Sequence, residues 1–141
     1  MQLSPLPIDR FALQAHAGPY QRWPGHSQLI VDGELQRSSV PGYTLLRQFA
    51  LADGYLLITD FDCPFEEATC FVLLDLQFKV RSQRTLGGMY ASYLLKRVRW
   101  LSEHQLVASF VDQGDWLMTI RSWSVPYLRP RLGLRRAARR A

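Results

Sequence analysis

Residues that hold metals are scarce in this chain of 141 residues, which has two cysteines and three histidines. Cys63 and Cys70 form no CxxC pair and have no histidine close to them in the sequence. A structural zinc site needs about four such ligands. We therefore expect two reduced thiols, in a β-hairpin and its loop; a disulfide between them stays open for an oxidising compartment.

Long apolar runs are also missing. No stretch approaches the roughly 20 residues that a helix needs to cross a bilayer. The first ten residues lack the basic region and the apolar region of a secretory signal. The sequence therefore predicts a cytoplasmic protein without a membrane span.

Motifs of catalysis are absent too. No serine lies in a G-x-S-x-G elbow, and no glycine-rich phosphate loop occurs. His16, His26 and His104 are scattered, so we expect each to be a surface or packing residue. A pair of Cys63 with a histidine brought close by the fold stays open. We expect neither a cofactor nor catalysis; an enzyme of unrecognised type is the last-ranked alternative.

The net charge of +5 is concentrated at one end of the chain. Six of the seventeen basic residues lie at the C-terminus, and the rest of the chain has eleven basic and twelve acidic residues. The body is therefore close to neutral, and it does not show the basic face that is typical of nucleic-acid binders.

Hydrophobic residues make up 48% of the chain, which is enough for a real core and too much for a disordered protein. The length suits one domain. We expect a single β-rich domain over 1–128, followed by an arginine-rich tail over 129–141.

Two stretches, 51–62 and 101–112, resemble each other position by position. Apolar residues fall on apolar residues, hydroxyls on hydroxyls and acids on acids. Each stretch belongs to a longer unit, over about 43–87 and 93–133, whose alternating apolar residues and turn signals are typical of four strands. The sequence predicts an all-β antiparallel meander of eight to nine strands in two similar units, arranged as a sandwich or a strongly twisted sheet.

This order of strands and turns resembles two blades of a β-propeller, although no blade signature motif is present. Known propellers close a ring with about four or more blades. The resemblance therefore implies blade-like sheets whose edges are covered in another way: by a sandwich, by twisting of a single sheet, or by a homodimer through the sheet edges.

The first 25 residues contain four prolines and predict an irregular arm, with a short helix over 8–15 at most. We expect this arm to pack Phe11, Tyr20 and Trp23 onto the body. Asp32 and Gly33 predict the type I′ turn of a small hairpin. The apolar run from Cys70 to Leu74 is typical of a strand that is buried on both faces.

The densest polar cluster follows the first predicted hairpin. In a strand, Asp60 and Asp62 would lie on the same face. An exposed Phe65 beside Glu66 and Glu67 would offer a basic partner an aromatic anchor next to negative charges. We therefore predict partner contacts from Asp60, Asp62, Phe65, Glu66 and Glu67. A solvated acidic loop and a calcium site remain as alternatives, although the spacing does not match an EF-hand.

The C-terminal arginines allow a second hypothesis. Residues 134–141 can form a short amphipathic helix, with Leu134 and three alanines on one face and arginines on the other. The tail could then contact nucleic acid, anionic lipid or an acidic partner, or stay solvated. The residues predicted to bind nucleic acid are Arg129, Arg131, Arg135, Arg136, Arg139 and Arg140.

A non-catalytic protein-binding module is the function that these features favour. The chain is similar to bacterial toxin-neutralising (immunity) proteins in general attributes, being small, leaderless, β-rich and without catalytic residues. It shares no diagnostic motif with them, so no residue role is carried over. The partner would be a basic-surfaced toxin or enzyme that is blocked by steric occlusion. A nucleic-acid-associated accessory protein that uses the tail is the alternative.

Overall fold

The computed structural model describes residues 4–63, 67–87, 92–121 and 131–137. Within these ranges the chain forms twelve strands and one 3-10 turn, Tyr20–Arg22, and it has no α-helix. No helix in the described ranges has the length and hydropathy that a bilayer crossing requires. In chain order the strands are β1 (Leu6–Pro7), β2 (Phe11–Leu13), β3 (His26–Val31), β4 (Glu34–Pro41), β5 (Thr44–Ala50), β6 (Gly54–Asp60), β7 (Thr69–Asp75), β8 (Val80–Leu86), β9 (Leu95–Ser102), β10 (Gln105–Phe110), β11 (Gly114–Ile120) and β12 (Leu132–Arg136).

These strands form three antiparallel sheets. The central sheet has the order β1-β5-β6-β7-β8, the C-terminal sheet β12-β11-β10-β9 and the N-terminal sheet β2-β3-β4. The all-β antiparallel prediction is confirmed, and the two predicted four-stranded units correspond to the meanders β5–β8 and β9–β12.

Strand β6 explains how the three sheets stack. Its side chains alternate, as in any strand, and they enter two different cores. Leu56 and Ile58 join the core shared with the C-terminal sheet, whereas Leu57 joins the core shared with the N-terminal sheet. All three are 0% exposed, and burial of each stabilises the fold by about 1.5–3 kcal/mol. The molecule is therefore a three-layer sandwich.

Strand β7 confirms the interpretation of the apolar run. Phe71 and Leu73 face the core with the C-terminal sheet, and Cys70, Val72 and Leu74 face the core with the N-terminal sheet. A strand needs apolar residues at every position only when both of its faces are covered.

The N-terminal region supplies the third layer. Asp32 and Gly33 have φ angles of 51° and 85°, and positive φ at both central residues is the signature of the predicted type I′ turn. The arm before this hairpin is largely irregular, as expected. The short helix considered there is not formed, because Phe11–Leu13 pairs with β3 instead and buries the Phe11 ring.

The helix considered for residues 134–141 is wrong over 134–136, because these residues belong to β12 and pair with β11. Leu132 and Leu134 alternate along this strand, and both contact the core with the central sheet. Pairing also satisfies backbone groups of β11 that would otherwise be left at an open edge. The short strand considered at Tyr127 and Leu128 lies outside the described residues.

Strands β8 and β12 meet where two sheet edges come together. The Leu132 N–H donates to Ser82 Oγ (3.3 Å), and Arg84 donates through its guanidinium to the Leu132 carbonyl (3.3 Å). Side chains of one sheet thus satisfy the backbone of the other at this corner.

Candidate functional site

Asp60 and Asp62 occupy different environments at the end of β6. Asp60 is the last residue of the strand and is 7% exposed. The Asp62 N–H donates to Asp60 Oδ1 (3.2 Å), and Asp62 adopts a positive φ of 50°. A carboxylate that accepts from the second following residue turns the chain. The expectation that the two share one strand face is therefore wrong, because the strand ends before Asp62, which is exposed.

Three predicted site carboxylates influence one another. Burial raises the pKa of Asp60 and the charge of Asp62 adds to this, while hydrogen bonds from the Asp62 backbone and the Thr44 side chain oppose it. Burial also raises the pKa of Glu67, and the charges of Asp60 and Asp62 raise it further. The structure thus brings Asp60, Asp62 and Glu67 together. Phe65 and Glu66, which were predicted with them, lie outside the described residues.

Glu67 also ties the loop to the second meander. Its N–H donates to Ser92 Oγ (3.2 Å), and its carbonyl accepts from the Tyr93 N–H (2.7 Å). Its buried Oε2 has no hydrogen-bond partner among the described residues. The two backbone hydrogen bonds hold residue 67 beside the second meander.

An aromatic cluster lies beside these acids. Tyr43, the residue before β5, makes edge-to-face contacts with Trp23 (5.0 Å between ring centroids) and Phe61 (5.5 Å). Tyr20 packs on Trp23 at 5.0 Å. The arm therefore packs Tyr20 and Trp23 onto the body, as predicted. The cluster consists of His16, Tyr20, Trp23, Tyr43 and Phe61.

Hydrogen bonds hold this cluster in place. Tyr20 Oη donates to the Phe61 carbonyl (2.6 Å), and Tyr43 Oη accepts from the Gly25 N–H (2.8 Å). Trp23 Nε1 donates to the Gly18 carbonyl (3.2 Å). Each polar tip of the three large rings is thus bound to backbone, which leaves the ring faces and edges for packing.

Tyr20 joins the cluster to the acids. Burial raises the pKa of its phenol, and charges at Cys63, Tyr43, Asp62 and Glu67 raise it further. The side chain is nevertheless 39% exposed. We use the name acid–aromatic surface for Tyr20, Trp23, Phe61, Asp62 and Glu67.

Side chains that bind metals are not grouped together in the described part of the chain. It contains no group of three or more histidine, cysteine or acidic side chains that could hold a metal ion. His16 Nε2 lies 2.9 Å from Ser27 Oγ inside the aromatic cluster, so its environment is that of a packing residue. Cys63 and Cys70 are both free thiols, and burial raises the pKa of Cys70.

A cavity of about 340 Å³ lies where the first turns of the two meanders approach each other. Its lining includes Leu51 and Asp53 from one turn, and Glu103 and His104 from the other. His104 Nε2 lies 3.8 Å from Glu103 Oε1, which is too far for a hydrogen bond. These two residues therefore form no hydrogen-bonded acid–base pair.

The six tail arginines that were predicted to bind nucleic acid do not share one environment. Arg131 donates from Nε to the Arg121 carbonyl (2.9 Å) and lies 3.7 Å from the Asp53 carboxylate. Arg136 packs over the Trp116 ring at 4.9 Å, and both Arg135 and Arg136 are exposed. The other three predicted nucleic-acid contacts, Arg129, Arg139 and Arg140, lie outside the described residues.

Sequence reasoning missed how the aromatic arm and the acidic loop combine. Tyr20 and Trp23 were expected to pack on the body, but no local pattern places them beside Asp62, some forty residues away. The available signal was the density of aromatic residues in an arm rich in proline and glycine, which is unusual for a purely solvated segment.

No family model, curated protein or solved structure matches the chain. A functional proposal therefore depends on the positions and contacts of the residues described above.

Proposed function

We propose that the chain is a non-catalytic protein-binding module that captures a basic segment of a partner protein on the acid–aromatic surface. An immunity protein that blocks a basic-surfaced toxin is the concrete form of this function. The observation that carries the proposal is the position of an ordered, partly exposed aromatic cluster next to Asp62 and Glu67.

The aromatic part supplies the anchor. Tyrosine and tryptophan are enriched among the residues that dominate interface energies. Tyr20 is fixed by its bond to the Phe61 carbonyl and by its contact with Trp23. Because these rings are ordered before a partner arrives, binding loses little side-chain entropy.

The acidic part supplies the preference for a cation. The charges of Asp62 and Glu67 raise the pKa of Tyr20, so both carboxylates act at the aromatic ring. A lysine or arginine there would meet a negative potential and an aromatic face together, and both are favourable for a cation. An acidic partner would be repelled.

The first experiment tests the surface with a synthetic probe, a peptide of alternating arginine and leucine, titrated calorimetrically into the full chain. The variant Asp62→Asn/Glu67→Gln is expected to bind about tenfold more weakly, which corresponds to about 1.4 kcal/mol. The matched control is Asp53→Asn/Glu103→Gln, which removes the same charge from two exposed acids on the distant hairpin turns. Equal weakening in both variants would reject the surface.

The second experiment tests the immunity function. The product of the neighbouring gene is expressed with and without this chain, and growth of the host is measured. The chain is expected to restore growth, and Asp62→Asn/Glu67→Gln to restore it less. A neighbouring product that is harmless and unbound would reject the immunity role and leave the peptide-binding result standing.

A further inference from the structure

The meanders β5–β8 and β9–β12 pack against each other through equivalent residues. Their outer faces differ, because the N-terminal sheet covers only the outer face of the central sheet. Leu56 and Ile58 align with Leu106 and Ala108, fifty positions later, and all four lie in the shared core. Leu57 therefore points to the other side of the central sheet, where the N-terminal sheet covers it. Val107 is its equivalent in the C-terminal sheet, and no described sheet lies over that outer face.

Strand register places arginines on this outer face. Directly paired residues of an antiparallel sheet project to the same side. Arg99 pairs with Val107, Val107 with Leu117, and Leu117 with Arg135. This row thus has an arginine at both edges of the sheet, about 14 Å apart across three strand spacings.

The neighbouring row adds a third arginine. Arg97 pairs with Ser109, which pairs with Asp115. Arg97 lies two residues from Arg99 along β9, a distance of about 7 Å. A bulge next to this pair leaves Lys96 as an additional exposed cation. We use the name cationic face for Lys96, Arg97, Arg99 and Arg135.

These cations are not neutralised by nearby acids. All four are exposed, and none forms an ion pair or side-chain hydrogen bond with a residue of the described ranges. Arg10 and Arg81, by contrast, each lie 2.7 Å from an aspartate oxygen. The acid in the same rows is Asp115, about 10 Å from Arg97 across two strand spacings.

We propose that the cationic face binds the phosphate backbone of a nucleic acid. A planar guanidinium binds phosphate through two parallel hydrogen bonds, and several unpaired cations in regular rows suit an extended polyanion. The two rows contain no aromatic side chain for base stacking, so binding is independent of sequence.

A phosphate backbone suits this face better than an acidic protein does. Protein interfaces depend on a few large apolar or aromatic anchors that insert into the partner. The apolar members of the rows, Val107 and Leu117, are only 7% and 9% exposed, so they offer no such anchor. The face is also distinct from the acid–aromatic surface, so either proposal can fail without the other.

The test measures binding of the full chain to a labelled oligouridylate of about 20 nucleotides by fluorescence anisotropy. Salt is varied between about 50 and about 200 mM, and a DNA duplex forms a parallel series. Arg97→Gln/Arg99→Gln/Arg135→Gln is expected to bind at least about tenfold more weakly at the lower salt. Its salt slope should fall by about 2, since each lost contact with a single strand removes about 0.7. The duplex series shows whether the backbone of one strand or of two is preferred.

The matched control is Arg22→Gln/Arg37→Gln/Arg47→Gln, which removes three exposed charges elsewhere on the molecule. It should keep the salt slope of the unmodified chain. Equal losses in both triple variants, or no binding by the unmodified chain at about 50 mM salt, would overturn the proposal. Tighter binding of poly-glutamate than of the oligonucleotide would overturn it in favour of an acidic protein. Circular dichroism shows whether the triple variant is folded. If it is not, the single variant Arg135→Gln replaces it in the binding measurement.

Discussion

The side chain of Gln48 pairs with the backbone of Phe11 as a neighbouring strand would. Gln48 Oε1 accepts the Phe11 N–H (2.9 Å), and its Nε2 donates to the Phe11 carbonyl (3.1 Å). The same Oε1 accepts the Arg10 N–H (3.0 Å). Since Gln48 lies on β5 and Phe11 on β2, one amide joins the central sheet to the N-terminal sheet.

Replacing Gln48 by leucine is therefore expected to destabilise the fold by about 2–3 kcal/mol, because two N–H groups and one carbonyl lose their partner. Urea unfolding measures the change. The control is Gln83→Leu, at an exposed position of β8 where the described residues show no side-chain hydrogen bond; it should stay within about 0.5 kcal/mol. A similar small effect at Gln48 would show that water replaces these bonds.

Local patterns were sufficient for the two meanders. The continuous apolar run at Cys70–Leu74 and the Asp32–Gly33 turn each depend on neighbours in sequence, and both predictions were confirmed. The third layer was less visible, because β2 has only three residues and is defined by pairing with β3. Periodicity cannot reveal a strand of that length.

Strand β12 shows why the remainder could not be predicted. Leu134 with nearby alanines and arginines fits a helical face, and Leu132 with Leu134 fits a strand face equally well. The pairing of β12 with β11 decides between them, and that contact is set by the open edge of a sheet rather than by local sequence. For the same reason the neighbourhood of Tyr20 and Asp62 depended on tertiary structure.

The strand at the C-terminus makes a direct prediction for Leu132 and Leu134. Leu132 is 0% exposed, so Leu132→Ala is expected to cost about 2–5 kcal/mol. Leu134→Ala should cost less, because this residue is only half-buried. Thermal unfolding compares the two. If residues 132–136 were helical or solvated instead, both substitutions would be nearly neutral.

Gly54 is expected to tolerate no side chain. A Cβ at this position would lie within van der Waals overlap of the Leu74 carbonyl on the paired strand β7. Because that oxygen belongs to backbone in the middle of a sheet, it cannot move aside cheaply, and Gly54→Ala should lose more than about 3 kcal/mol. Gly33→Ala is the matched control, since it has open space but a φ of 85°. It should lose only about 1–2 kcal/mol from the left-handed conformation. Calorimetric melting that ranks the two in the reverse order would contradict the close approach of β6 and β7.

Asp60 and Asp32 are expected to shift stability in opposite directions with pH. Burial raises the pKa of Asp60, so the folded protein binds its proton more readily than the unfolded chain, and the ionised carboxylate opposes folding at neutral pH. Asp60→Asn keeps an Oδ1 acceptor for the Asp62 N–H and removes the charge. It should therefore raise the free energy of unfolding at pH 7, and the gain should shrink as pH falls through the raised pKa toward the ordinary aspartate value of about 3.9.

Asp32 provides the opposite case, because its hydrogen bonds with Arg10 lower its pKa. The stability that it contributes is present above the ordinary aspartate pKa and is lost as pH falls through the lowered value. Asp32→Asn keeps the left-handed turn conformation, which asparagine adopts readily, so it should lose stability at pH 7 and match the unmodified chain in acid. Urea unfolding of both variants between pH 7 and pH 3 makes the comparison. An Asp60→Asn gain that stays constant over this range would mean that the pKa of Asp60 is the same in the folded protein and the unfolded chain, so that burial of this carboxylate has no electrostatic cost.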